Sequence, residues 1–125
     1  MTRQPGPWIE RLRDAASFIA PAPAALMVFG SVARGNDGPD SDLDVLAVRA
    51  TGVAFDDDDW ADSLAVWSAT AWEVTGRPVA LIDADEDEIP ELLGRPGDTV
   101  WRRIAREGAV IAGRSLAAIG SLAQA

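Results

Sequence analysis

The chain has 125 residues, 48% of them hydrophobic, and a formal net charge of −9. Length and apolar content suit one folded domain with a real core and exclude a disordered segment. The chain has no His, Cys, Lys or Tyr, which excludes Ser-His-Asp and cysteine catalysis, His/Cys zinc sites, lysine Schiff bases and disulfides.

Chemistry here must therefore rest on carboxylates, arginine, hydroxyls, backbone amides and hard metal ions, which choose oxygen ligands. No apolar run approaches the ~20 residues of a membrane span. Charges and prolines scattered through "MTRQPGPWIERLRDAASFIAPAP" interrupt any signal-peptide core, so the expected location is cytoplasmic, with no membrane partner. The acidic balance opposes a long nucleic acid as partner. A small anionic ligand escorted by a divalent metal is compatible with it, because the metal supplies positive charge locally.

In chain order, "PWIERLRDAASFI" (7–19) predicts a helix: Pro7 is tolerated in a first turn, and Trp8, Leu12, Ala15, Ala16 and Ile19 share one face. "AALMVFG" (24–30) and "LDVLAVR" (43–49) predict short strands. Trp60, Leu64, Trp67 and Ala71 recur at helical spacing, with Gly76 as a stop. The acidic run Asp56 to Asp59 reads as that helix's N-terminal cap and dipole complement rather than a metal site. "RPVALID" (77–83) predicts a third strand, and "DEDEIPELLG" a solvated connection with a short helix. "DTVWRRIAREG" (98–108) predicts a helix with Val100, Trp101, Ile104 and Ala105 inward and Arg102, Arg103 and Arg106 outward. A last strand, "AVIAG", and a mildly amphipathic tail (114–124) follow. Strands alternating with helices give an α/β or α+β class: one mixed sheet with helices packed on it, a single domain over 1–125.

The stretch "FGSVARGNDGPDSDLDVLAV" (29–48) carries the chemistry. Gly30 and Gly35 have P-loop spacing, but Asn36 stands where the lysine must be. A dinucleotide fingerprint fails at Val32, and a calcium loop fails at Val45 and Thr51. What survives is geometric. Residues i and i+2 of a strand share a face, alpha carbons ~7 Å apart. Asp42 and Asp44 therefore face one space while Leu43 and Val45 turn into the core. Two converging carboxylates repel each other, and a divalent metal, or a pair ~3.5–4 Å apart, relieves that. Gly30 allows close backbone approach. Ser31 then opens a short predicted helix, "SVARG", whose free amides and hydroxyl make an anion site with Arg34 near it. A capped turn plus a solvated aspartate would explain either half alone, but explains the combination poorly.

With those residues in view, the stretch resembles the signature of the DNA polymerase β-type nucleotidyltransferase superfamily: an apolar residue, Gly-Ser, a spacer, then Asp-x-Asp in a strand. The wording "GSVARG…SDLDVLAV" and the small size resemble its minimal nucleotidyltransferases, which often pair with HEPN-domain toxins. "RPVALIDADE" is similar to the family's third-strand segment, and "WRRIAREGAVIAG" to its last helix and strand, so the likeness spans roughly residues 24–112. The resemblance implies that Gly30 and Ser31, with Arg34, hold a nucleotide's phosphates and that Asp42 and Asp44 bind Mg²⁺. It implies transfer of a nucleoside monophosphate from a triphosphate such as ATP to a hydroxyl of a protein or small molecule. In paired systems the antitoxin modifies a toxin tyrosine with AMP.

The superfamily also uses a third carboxylate on its third strand, and the minimal enzymes commonly read Val-Asp-Leu-Val-Asp there. This chain reads Val79-Ala80-Leu81-Ile82-Asp83, with Ala80 at the carboxylate position. Strand alternation sends Asp83 to the opposite face unless the strand end bends. Two readings follow from the sequence: an active transferase whose third carboxylate is Asp83 or is replaced, or a nucleotidyltransferase-like binding module that neutralises a partner by contact.

Overall fold

The structure, a computed structural model, describes residues 8–30 and 41–122, with the side chain of Leu122 outside the description. It is an α+β arrangement built on one mixed sheet. Helix α1 (Trp8–Ala16) leads to strand β1 (Ala25–Phe29), then β2 (Leu43–Arg49), helix α2 (Asp58–Thr75) and β3 (Val79–Asp85). A 3-10 turn (Glu86–Glu88), α3 (Ile89–Gly94), α4 (Val100–Glu107), β4 (Ala109–Gly113) and α5 (Leu116–Leu122) complete it. The strand order is β3-β2-β1-β4. β1 is antiparallel to β2 and β4, whereas β2 and β3 run parallel, joined by the α2 crossover.

Local chemistry explains the element ends. Asp57 caps α2 by accepting the Trp60 backbone N–H at 2.9 Å, and Gly76 ends it in the left-handed conformation. Thr99 caps α4 through the Arg102 N–H at 3.2 Å. Helix α1 stops at Ala16, short of the expected Ile19, because three successive i→i−3 bonds tighten the chain over Ser17 to Ile19. β3 runs two residues further than the sequence suggests, to Asp85, as β2 supplies partners as far as Arg49.

The sheet separates two cores. On one face α1 and α2 lay Leu12, Trp60, Leu64 and Trp67 against Leu43, Val45 and Ala47. Trp67 Nε1 donates to the Leu12 carbonyl at 3.0 Å, so its one polar atom is satisfied inside. On the other face Met27, Leu46 and Val48 meet Ile89, Leu92, Ile104, Leu116 and Ile119. Each such side chain contributes ~1.5–3 kcal/mol when buried. The segment read as a solvated connection is thus a packing element. Ile89 and Leu92, three apart on α3, point one way into the second core, and Asp87 and Glu88 before them stay exposed. The tail helix docks through Leu116 and Ile119.

Candidate functional site

The site is assembled on the sheet face of the second core. β1 and β2 pair Phe29 with Asp44, and β2 and β3 pair Asp44 with Ala80. Paired residues in adjacent strands share a face, so Phe29, Asp44 and Ala80 form one row across the sheet. Leu43 and Val45 are fully buried on the opposite side, which leaves Asp44 on the face of Phe29 and Ala80, with Asp42 two residues before it. Asp42 lies just ahead of β2 and is exposed, while Asp44 is half-buried. Arg77 braces this entry: its Nη1 donates to the Ser41 carbonyl at 2.9 Å, one residue before Asp42.

Gly30 closes the site from the end of β1. Its φ is +76°, a conformation L side chains rarely adopt. A Cβ built there would overlap Asp44 Oδ2 and come within 3.2 Å of its Cγ. The missing side chain is therefore the space the Asp44 carboxylate occupies. Glycine is required twice over, by backbone conformation and by the neighbour. Ser31 and Arg34 lie outside the described residues, as does the short helix expected after Gly30.

Asp83 is not part of this site. It pairs with Ala47, and so lies on the face that carries Leu43 and Val45. There the Arg49 Nε donates to Asp83 Oδ1 at 2.7 Å and the Trp60 Nε1 donates to Asp83 Oδ2 at 3.0 Å. Arg49 is itself buried. Its Nη1 donates to the Val53 carbonyl at 2.9 Å and lies 3.5 Å from Asp85 Oδ2, and its guanidinium sits over the Phe55 ring. The strand does not bend to bring Asp83 round. Both of its oxygens are engaged in clasping β3 to the start of α2. Of the two arrangements the sequence left open for this carboxylate, the geometry excludes the one that uses Asp83.

Among the described residues no group of three or more His, Cys, Asp or Glu is placed to hold a metal ion. The Asp42/Asp44 pair still fits one hard cation. The donors are all oxygen, they stand two residues apart at the start of β2, and Gly30 leaves room for the Asp44 carboxylate. Mg²⁺ characteristically takes one or two carboxylates and fills its shell with water and substrate phosphate oxygens.

Sequence reasoning did not single out Arg77, Phe29 or the Asp83 clasp. Arg77 meets Ser41 across 36 residues and Arg49 meets Asp83 across 34. No short-range pattern signals either contact.

A four-stranded mixed sheet with helices on both faces, and an Asp-x-Asp pair set against a glycine at the end of the neighbouring strand, define the class of protein. The family model described as nucleotidyltransferase domain matches residues 9–82, more than half the chain, and the chain belongs to that family. No curated protein matches it significantly in sequence. Solved structures that share the fold include two toxin–antitoxin chains. One is a chain of the crystal structure of a toxin–antitoxin with AMP-PNP, at 15% identity and TM-score 0.56, covering 93% of this chain and 86% of that one. The other is a chain of a toxin–antitoxin MntA–HpeT mutant, at 14% identity, with the same TM-score and the same coverage. Among the described residues no helix is long and apolar enough to cross a membrane.

Proposed function

We propose that this chain binds a nucleoside triphosphate, ATP foremost, with Mg²⁺ held by Asp42 and Asp44. It transfers the nucleoside monophosphate to a hydroxyl of a partner protein or small molecule. The observation that carries this is the close approach of Gly30 and Asp44: only a residue without a Cβ leaves room for the β2 carboxylate at the end of β1. Family membership supports the reaction class. AMP-PNP, an ATP analogue, accompanies the toxin–antitoxin that shares the fold, which supports the choice of nucleotide and of a toxin as protein partner; that the toxin is of HEPN type rests on the resemblance of residues 29–48.

In the transfer, the acceptor oxygen bonds to the α-phosphorus, the bond to the bridging oxygen breaks, and pyrophosphate leaves. Mg²⁺, when bound, neutralises charge on the phosphates. Asp42 and Asp44 hold it. Gly30 borders the phosphate side, and the sequence resemblance assigns Ser31 and Arg34 to the phosphates as well. No carboxylate stands at Ala80 to accept the acceptor's proton, which passes to water. General-base assistance is worth ~10²–10⁴-fold, so turnover on this reading is slow.

One observation favours a second reading, in which the chain binds nucleotide and neutralises a partner by contact. The nearest carboxylate on β3 is bonded away on the opposite face. Incubation with labelled ATP, Mg²⁺ and the candidate partner separates the two. Label transfer abolished by Asp42→Ala and Asp44→Ala supports transfer. Tight partner binding that survives both substitutions, without label, supports contact alone.

A further inference from the structure

Helix α2 buries one side and leaves an apolar stripe on another. Trp60, Leu64, Trp67 and Ala71 enter the first core. Ala61, Ala65, Ala69 and Trp72, at i, i+4, i+8 and i+11, form a second stripe that faces solvent. A surface helix ordinarily carries charge there. Trp72 is 57% exposed, and the neighbouring Phe55 and Leu81 are 72% and 41% exposed. Between α2 and β3, the edge strand of the sheet, lies a hollow of about 300 Å³ walled by Phe55, Ala61, Ala65 and Leu81. One turn further along, a second hollow of about 450 Å³ lies against Ala69 and Trp72.

The charge around this stripe decides its occupant. Asp58, Asp62 and Glu73 border it, and α2 contains no basic residue. A second copy would set these carboxylates against themselves on a chain of net charge −9. Nucleic acid meets the same repulsion. We propose that the α2 stripe and the β3 edge form a docking trough for a positively charged segment of another protein, an amphipathic helix whose apolar side is flanked by Arg or Lys.

The trough is separate from the carboxylate site. α2 packs on the face of Leu43 and Val45, and Asp44 stands on the other. Nucleotide and partner can therefore be bound together. The proposal stands whether or not the chain performs nucleotidyl transfer.

Fluorescence anisotropy on the full chain tests it, with a labelled amphipathic Leu/Lys helical peptide and its Leu/Glu counterpart as probes. Ala65→Trp fills the trough and Trp72→Ala empties it, neither with a change of charge. Glu91→Gln on α3 removes one charge elsewhere. The Leu/Lys peptide is expected to bind, the Leu/Glu peptide not. Each trough variant should weaken binding by at least ~10-fold, the loss typical of a truncated hot spot. Glu91→Gln should leave it within about two-fold, as expected for one exposed, screened charge away from the trough. Unchanged binding in both trough variants overturns the proposal, because attraction then follows net charge alone. So does a wild-type dimer in light scattering that Ala65→Trp dissociates, because the occupant is then a second copy.

Discussion

Ala80 stands beside Asp44 in the parallel register of β2 and β3, a methyl group where a third carboxylate would complete the row. Phe29 occupies the other side of Asp44. On the proposed function, what the row lacks is one side chain, at a position that β2 and β3 already set beside Asp44.

Ala80→Asp is therefore expected to raise nucleotidyl transfer by ~10²–10⁴-fold, the usual value of a placed base. Pyrophosphate release measured with Mg²⁺, ATP and acceptor checks this. A variant that binds ATP as the wild type does but turns over no faster would show that the deficit lies elsewhere.

Gly30→Ala forces a Cβ into the Asp44 carboxylate and a left-handed backbone on an L residue. The strained conformation alone costs ~1–3 kcal/mol. Urea denaturation should show that loss, and nucleotide titration should show weaker binding in the folded fraction. Asp44→Asn in the same background should recover little stability, because the amide is as bulky as the carboxylate it replaces.

Asp83 gives the complementary case. Asp83→Ala removes the nearer carboxylate of the buried Arg49, leaving it Asp85 and the Val53 carbonyl, and takes the acceptor of the Trp60 indole N–H. Removing one member of a buried pair costs ~3 kcal/mol at the lower end of the range, which suits an aspartate that keeps some solvent access. Thermal unfolding should register this. Isothermal titration with Mg²⁺–ATP should find affinity unchanged at a temperature where the variant is folded. Loss of nucleotide affinity without loss of stability would assign Asp83 to the site after all.

The acid limb of stability should depend on Glu86. Its hydrogen bond to Arg114, reinforced by Thr51 and opposed by partial burial, holds its carboxyl below the ordinary value of 4.5. A carboxylate whose folded pKa is depressed stabilises the protein fully above its unfolded value, and that contribution is lost as pH falls through the folded one. Denaturation midpoints should therefore decline below about pH 4.5, and Glu86→Gln should flatten that decline while lowering stability at neutral pH. An identical pH profile in the variant would remove Glu86 from the account.

Much of this was legible in the sequence because it is local. Alternation alone places Asp44 on one side and Leu43 and Val45 on the other, and β2 begins and ends where its residue pattern does. Caps at Asp57 and Gly76 bound α2 as their chemistry dictates. The motif of residues 29–48 pointed to the family that residues 9–82 establish.

Tertiary structure decided what depends on pairing between elements. Periodicity tells which side of β3 Asp83 faces, but only the register with β2 puts Ala80 beside Asp44 and Asp83 beside Ala47. The engagement of Asp83 depends on Arg49 and Trp60, 34 and 23 residues away, brought close by the α2 crossover. The burial of Ile89 and Leu92 likewise follows from a sheet face that needed covering, a demand no acidic stretch of sequence reveals by itself.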